Sequence, residues 1–344
     1  MVRGNRFLRA ASFSMWMHFG FMAASLANAQ TRPNIVLILS DDQAWYDYSF
    51  MRMANAEQAA INMNPDIYQV ADTPAIDRLA ANGLVFTHGY VPVSLCRPSL
   101  ASIITGTYPC QHKITGNDPA NSNEDDPYDD LIYRVPSLPR ILEGKLGYSS
   151  YQSGKWWQGP HTKGGFAGGE TVNAIDTSTS PSQWSGALPF YAHAREGDWG
   201  LMVGRVDYVT DVEKPDPLTN YANTIVPITD YIDGQVAASE PFFLWYAPFL
   251  PHYPYDPPTN ILTKYDSLIA EPEENNDYIA KYYGNIERLD GGIDALMDHL
   301  DSTGLATNTM VVFVCDNGWI SRTNSADHAN KSKRSLYDGG TRTP

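Results

Sequence analysis

The chain is 344 residues long, 43% apolar and 18% charged, a composition that excludes disorder and supplies a core for one large α/β domain or two smaller ones. Its formal charge of −15 excludes nucleic acid and anionic membrane surfaces as natural partners, so an anionic ligand has to be drawn in by cations gathered at one place. Three cysteines, Cys96, Cys110 and Cys315, do not make a disulfide framework.

The chain starts with a basic stretch, Arg3, Arg6 and Arg9, followed by an almost uncharged apolar run from Ala10 to Leu26 and the small-x-small box Ala27-Asn28-Ala29. This predicts a secretory signal peptide over residues 1–29, hence a secreted or periplasmic protein with no membrane span after cleavage. An uncleaved anchor is the alternative, but it would have no use for the Ala-Asn-Ala box. Loss of the three arginines takes the formal charge from −15 to −18.

The next apolar run, Asn34 to Ser40, reads as a buried parallel strand that ends in two acids. Thr73-Pro74 caps and starts a helix that Gly83 closes, and Leu84 to Tyr90 can return as a strand. A short helix is expected from Pro98 to Gly106, another from Ser137 to Gly147, and the segment YSSYQSGKW follows as strand and loop. Residues 159 to 220 are rich in Gly, Ser, Thr, Asp and Pro and read as surface excursions, whose Trp184, Tyr191 and Trp199 would suit stacking on sugar rings. Pro241 to Pro248 is a buried strand leading into the proline-dense PHYPYDPP. Ile279, Tyr282, Ile286, Leu289, Ile293, Leu296 and Leu300 recur at three- and four-residue steps, which predicts an amphipathic helix. Met310 to Cys315 is another buried strand, with Asp316-Asn317-Gly318 at its end. Strands alternating with helices indicate an α/β fold with a large mixed, mostly parallel sheet flanked by helices, and polar motifs at strand ends mark its site.

Asp41 and Asp42 on one strand exit and Asp316 and Asn317 on another offer three carboxylates and an amide oxygen. Taken singly, each pair is a helix cap or a turn. Taken together they form a hard-oxygen set that suits calcium in preference to magnesium. Between them, Cys96-Arg97-Pro98-Ser99-Leu100 places a cysteine at the start of a helix, whose free N–H groups and dipole favour an anionic nucleophile and anionic substrate groups.

This segment resembles the signature of the sulfatase family, Cys-x-Pro-Ser-Arg followed by Thr-Gly. Five further blocks resemble that family in the same order: RPNIVLILSDDQ, GKW at 154 to 156, PHYP at 251 to 254, CDNG at 315 to 318 and KRSLYDGGTRTP at 333 to 344. The resemblance implies an alkaline phosphatase-like fold and a catalytic domain over residues 30–344 that is incomplete at its C-terminal end. It implies sulfate-ester hydrolysis, on a sulfated carbohydrate or another sulfate ester. By the same resemblance Asp41, Asp42, Asp316 and Asn317 bind calcium. Cys96, converted by a formylglycine-generating or other maturation enzyme, becomes nucleophile and further metal ligand. Lys155, His252 and Lys333 surround the sulfate.

Two positions depart from the family pattern. Leu100 stands where the signature has arginine, and Trp157 where the Gly-Lys-Trp-His block has histidine. Both are expected beside Cys96 as an apolar wall, with His112 or His252 left to take the proton that the missing histidine would accept. Two alternatives keep the same fold: a phosphoester or phosphonate hydrolase, and a non-catalytic protein that binds sulfated glycans.

Overall fold

The strand predicted over Asn34–Ser40 forms as β1. After it come α1 (Pro74–Asn82), β2 (Gly89–Tyr90), α2 (Cys96–Thr105), α3 (Leu138–Leu146), β3 (Ser149–Gly154) and β4 (Gly168–Gly169). The remainder is α4 (Val226–Ala238), β5 (Phe242–Ala247), α5 (Thr259–Asp266), α6 (Glu273–Ser302), β6 (Thr309–Cys315) and β7 (Arg342–Thr343). The structure is a computed structural model that describes residues 32–51, 71–117, 127–156, 158, 161–169, 225–253, 255, 257, 259–266, 273–320 and 331–344. Residues 1–29, Trp157, Trp184, Tyr191 and Trp199 lie outside them. No helix among the described residues is long and apolar enough to cross a membrane.

The main sheet runs β4–β3–β5–β1–β6, and every pairing in it is parallel. Its two faces are covered differently. Val36 and Ile38 of β1 and Phe242, Leu244 and Tyr246 of β5 point to one side, where α6 lays down Ile286, Leu289, Ile293 and Leu296. Leu37, Leu39, Phe243, Trp245 and Ala247 point to the other, against Leu100 and Ile104 of α2 and Leu142 of α3. The period-two alternation of a strand makes both faces apolar here, which is why β1 and β5 read as unbroken apolar runs. Each such Leu or Ile contributes roughly 1.5–3 kcal/mol by leaving water.

Two local expectations change. Only Gly89–Tyr90 of the stretch 84–90 is a strand, and its antiparallel partner is β7, more than half the chain away. Leu84 is 80% exposed and Phe86 66%, so no sheet face receives them. Helix α1 has proline in its first turn as expected, but the Thr73 hydroxyl does not cap it. That hydroxyl goes to Ser49 and Asp77 instead, and Asp290 of α6 accepts the N–H groups of Ala75 and Ile76, each at 2.9 Å. The sequence carries no local sign of this cap, because the acceptor is over two hundred residues away.

Candidate active site

The hydrogen-bond ladder continues past the strand ends and sets the site in register. Lys155 N–H donates to Ala247 O at 2.7 Å, Asp41 N–H to Leu250 O at 2.9 Å, and Asp316 N–H to Ser40 O at 3.0 Å. Residues just beyond β3, β5, β1 and β6 are thereby brought to one level, as parallel sheets do at their C-terminal edge. Alternation carries Asp41 to the side of Leu37 and Leu39, where α2 presents Cys96 in its first turn.

Two glycines are required by close approach. At Gly154 (φ +85°) a Cβ would lie 1.9 Å from Ala247 O, so only glycine can make the turn that sends Lys155 inward. At Gly318 a Cβ would lie 1.9 Å from Gly339 O, which lets the segment carrying Lys333 close over the Asp-Asn-Gly loop. Lys333 N–H then donates to Trp319 O at 3.1 Å and Arg334 N–H to Ser94 O at 3.1 Å, fixing that segment between β6 and the approach to α2.

All eight side chains singled out in the sequence meet here. Lys155 Nζ is 2.5 Å from Asp41 Oδ2 and 3.9 Å from Asp316 Oδ2. Lys333 Nζ bonds both carboxylate oxygens of Asp42 and lies 3.1 Å from Cys96 Sγ. Cys96 Sγ is 3.8 Å from Asp41 Oδ1 and 3.6 Å from Asp42 Oδ1. Asp316 Oδ1 accepts the Asp42 N–H at 3.1 Å, and Asn317 Nδ2 donates to Asp42 Oδ1 at 2.5 Å. His252 Nε2 lies 3.4 Å from Asp42 Oδ2, while its Nδ1 donates to the carbonyl of Tyr253 at 2.5 Å. Phe249 steadies both basic groups, its ring centre 4.5 Å from the His252 ring and 5.1 Å from Lys155 Nζ.

Burial sharpens the electrostatics. It pushes the Asp42 carboxyl up, but Lys333, His252 and Lys155 outweigh it and hold that group well below the usual carboxylate range. Asp316 is driven well up, by burial first and the neighbouring Asp41 next. Burial opposes charge on both lysines, yet the surrounding acids, Asp41 foremost at Lys155 and Asp42 at Lys333, raise them above the ordinary value. The Cys96 thiol is pushed well up by burial, which the two lysines do not overcome. His252 is lowered to about 4, again by burial first, with Asp42 and Asp41 pulling the other way.

Three carboxylates against two ammonium groups leave a surplus of negative charge. Two buried oxygens, Asp316 Oδ2 and Asn317 Oδ1, have no hydrogen-bond partner. Candidate ligand atoms of Asp41, Asp42, Cys96 and His252 all lie within 4.8 Å of one another, a cluster that takes in His252, expected on the sulfate, and does not include Asp316. Unmatched oxygens and surplus anionic charge fit a hard divalent cation.

Other residues bear on the site without having been singled out. Ser99 Oγ donates to Asp316 O at 2.5 Å and ties α2 to the Asp-Asn-Gly loop; its place inside the signature segment was the available clue. Arg97 is directed away from Cys96, to Gln158 Oε1 at 3.3 Å and Asn117 O at 3.2 Å. Leu100 is 1% exposed, lies one helical turn after Cys96 in α2 and belongs to the same apolar cluster, while Trp157, the other half of the expected apolar wall, lies outside the described residues. His112 is not available as the proton acceptor: Ser102 Oγ lies 2.9 Å from its Nε2, and Ile114 N–H donates to its Nδ1 at 3.0 Å.

The model of the family described as Sulfatase matches residues 33–344. The chain belongs to the sulfatase family. It is 28% identical over 342 residues to the N-acetylgalactosamine-6-sulfatase of Mus musculus, covering 92% of this chain and 57% of that protein. To the arylsulfatase A of Homo sapiens it is 28% identical over 336 residues, covering 94% of this chain and 60% of that protein. This sulfatase-family chain thus spans somewhat over half the length of the curated relatives it matches. Among solved structures, Ps i-CgsB aligns with TM-score 0.60 at 22% identity over 91% of this chain and 65% of that one. PsFucS1 sulfatase from Pseudoalteromonas sp. aligns with TM-score 0.60 at 19% identity over 97% and 66%. At these identities the likeness is one of fold, the alkaline phosphatase-like α/β arrangement.

Proposed function

We propose that this member of the sulfatase family hydrolyses sulfate esters of carbohydrates, with residue 96 as the nucleophile. One observation carries the reading: a buried side chain in the first turn of α2 has Lys333 Nζ at 3.1 Å and the carboxylates of Asp42 and Asp41 at 3.6 and 3.8 Å. The helix N-terminus and the two lysines together make a place for a tetrahedral anion. An arriving sulfate group competes with Asp41 and Asp42 for Lys155 and Lys333, whose ammonium groups then meet the charge that grows on the transferred group. His252 or Lys333 supplies the proton to the departing alcohol oxygen.

Asp41, Asp42, Asp316, Asn317 and residue 96 would hold calcium, which when bound offsets the surplus of acids and stabilises negative charge on the reacting oxygens. A thiol whose ionisation is suppressed by burial is a weak nucleophile. This supports conversion of Cys96 to formylglycine by a maturation enzyme, the hydrated aldehyde supplying an oxygen nucleophile. We propose further that residues 1–29 direct export, giving a secreted or periplasmic enzyme.

The test is a mass spectrum of the peptide carrying residue 96, joined to paired rates on an aryl sulfate and an aryl phosphate with and without calcium. The expected result is a formylglycine mass and a calcium-dependent preference for the sulfate. A faster phosphate reaction would sink the sulfate reading in favour of a phosphoryl centre on the same fold, the activity named for a phosphonate monoester hydrolase of Agrobacterium radiobacter with TM-score 0.58 and 17% identity. Leu100, apolar and buried in the same cluster as Cys96, is the observation that favours a binding protein instead. An unmodified cysteine, with tight binding and no product, is the outcome that would establish it.

A further inference from the structure

We infer that Tyr253 is the platform on which the pyranose ring carrying the sulfate group rests. The inference builds on the sulfate-ester reading and names the residue that recognises the alcohol half of the substrate.

The site has one open side among its described residues. The side chains of Asp41, Asp42, Lys155, Asp316 and Lys333 are at most 7% exposed, and Cys96 and Asn317 are fully buried. The side chain of His252 is 24% exposed. A sulfate group drawn toward the lysines therefore leaves its ester oxygen and the attached alcohol directed outward past His252. The next residue in the chain is Tyr253, which is 56% exposed, whereas Pro251 on one side and Tyr255 on the other are buried.

This exposed ring is held in place. Its carbonyl accepts the Nδ1–H of His252, which ties its backbone to the ring at the mouth of the site. The ring itself meets Tyr255 edge to face, with centroids 5.7 Å apart at 88°. Tyr255 in turn accepts the indole N–H of Trp319 at 2.7 Å, and Trp319 lies flat on Tyr282 at 3.9 Å. Tyr253 is thus the outer member of a packed aromatic series rooted in the core, with one side against Tyr255 and just over half of the residue in solvent. An aromatic ring held there contributes less to folding than a fully buried one, because more than half of the residue stays in water.

A six-membered sugar presents a face of C–H groups, weakly positive and apolar, edged by hydroxyls. A tyrosine ring offers the complementary surface, a negative π face with a hydroxyl at its tip. An acyclic alcohol has no such face and would gain nothing from it. The ligand class that fits is a pyranose O-sulfate.

The experiment measures binding by calorimetry on the full chain, for galactose 6-sulfate and for inorganic sulfate, in the native protein and in Tyr253→Ala, Tyr253→Leu and Tyr253→Phe. Turnover is not needed, so a native protein that binds the sugar sulfate without hydrolysing it would defeat the proposed activity and still decide the role of Tyr253. The expected result is about a tenfold loss of affinity for galactose 6-sulfate in the Ala and Leu variants, with inorganic sulfate within about twofold of native and Phe near native. Leucine keeps apolar bulk without a flat face, so its loss separates stacking from simple burial. Unchanged sugar-sulfate affinity in the Ala variant would overturn the inference. So would an equal loss for inorganic sulfate, which would mean that Tyr253 acts only through His252.

Discussion

Two buried groups of acids in this molecule meet opposite fates. Asp290, on the α6 face of the sheet, is 3% exposed and faces the first turn of α1, with each carboxylate oxygen accepting one backbone N–H at 2.9 Å. Asp41, Asp42 and Asp316, at the C-terminal edge of the sheet, are equally buried and have two lysines beside them, yet Asp316 Oδ2 and Asn317 Oδ1 remain unmatched. The first group is completed by donors within the fold, and the second is not. A fold can bury a carboxylate at modest cost by aiming a helix N-terminus at it. Leaving one short of partners is costly, and such cost persists where a ligand relieves it. Under the proposed function Asp290 serves stability and the strand-end acids serve catalysis, and substitutions in the two places should separate those properties.

The largest expected effect is on activity at the strand ends. Lys333→Ala removes the cation nearest residue 96 and should lower kcat by about 10²–10³-fold, the usual loss for one group that stabilises transition-state charge. Asp316→Asn should be at least as damaging to turnover while leaving the calcium-free protein as stable as the native one or more so, because it removes surplus charge from a buried site. Thermal melts in a chelator decide this: a calcium-free Asp316→Asn protein markedly less stable than native would make Asp316 a structural acid like Asp290.

Calcium provides the next contrast. At a free concentration a hundred times its dissociation constant, a ligand bound only by the folded state adds about 2.7 kcal/mol. The native protein and an Asp290 variant should both gain that much, whereas Asp42→Asn should gain little. A native protein whose melting temperature ignores calcium and chelator alike would remove the reason for the unmatched oxygens.

The comparison also shows which parts of the molecule were legible in sequence. The apolar runs PFFLWYAP and MVVFVC were both legible as strands, but only the first forms a strand that is buried throughout. Strand β6 is the outer strand of the described sheet, with Val311 to Val314 half-buried and Met310 51% exposed, so its expected burial is corrected. The seven apolar positions from Ile279 to Leu300 marked the long helix by period alone. Asp41, Asp42, Asp316 and Asn317 were legible because they sit directly after apolar runs, where β-strand geometry delivers them to one edge. Lys155, His252 and Lys333 were singled out only through the resemblance to the sulfatase family. Helix α4 was not among the elements expected from the sequence; its proline falls in the first helical turn, where it forfeits no hydrogen bond. Leu84 to Tyr90 has strand composition, yet its strand partner arrives only at Arg342–Thr343. Pairings within the site were equally hidden, since nothing local says that Lys155 meets Asp41 while Lys333 meets Asp42. For the same reason His112 looked as suitable a proton acceptor as His252 until its contacts with Ser102 and Ile114 were seen.

The smallest expected effect concerns Asp290 and pH, and it tests whether that acid is as fully satisfied as its hydrogen bonds suggest. Asp290→Ala should cost about 1–2 kcal/mol, the ordinary loss of a helix cap, with activity per folded molecule unchanged. The pH dependence is subtler. Burial pushes Asp290 up to about 7 from an ordinary value of 3.8, against the pull of the Ala75 and Ile76 N–H groups and with Asp294 and Asp77 adding to the rise. Below pH 3.8 the group is protonated in both folded and unfolded chains and contributes no slope. Between 3.8 and about 7 the folded protein keeps a proton that the unfolded chain has released, so stability falls as pH rises, by at most about 1.4 kcal/mol per unit. Above about 7 both states are ionised and the slope ends. Asp290→Asn cannot ionise, so the stability difference between native and variant should shift in favour of the variant as pH goes from 5 to 7. Denaturant melts of both proteins at the two pH values give that difference directly, other titrating groups cancelling in the comparison. If the difference does not move, Asp290 is already ionised in the folded protein at pH 5. The helix N-terminus would then outweigh desolvation at this site, and the contrast with Asp316, which has one backbone donor where Asp290 has two, would be sharper still.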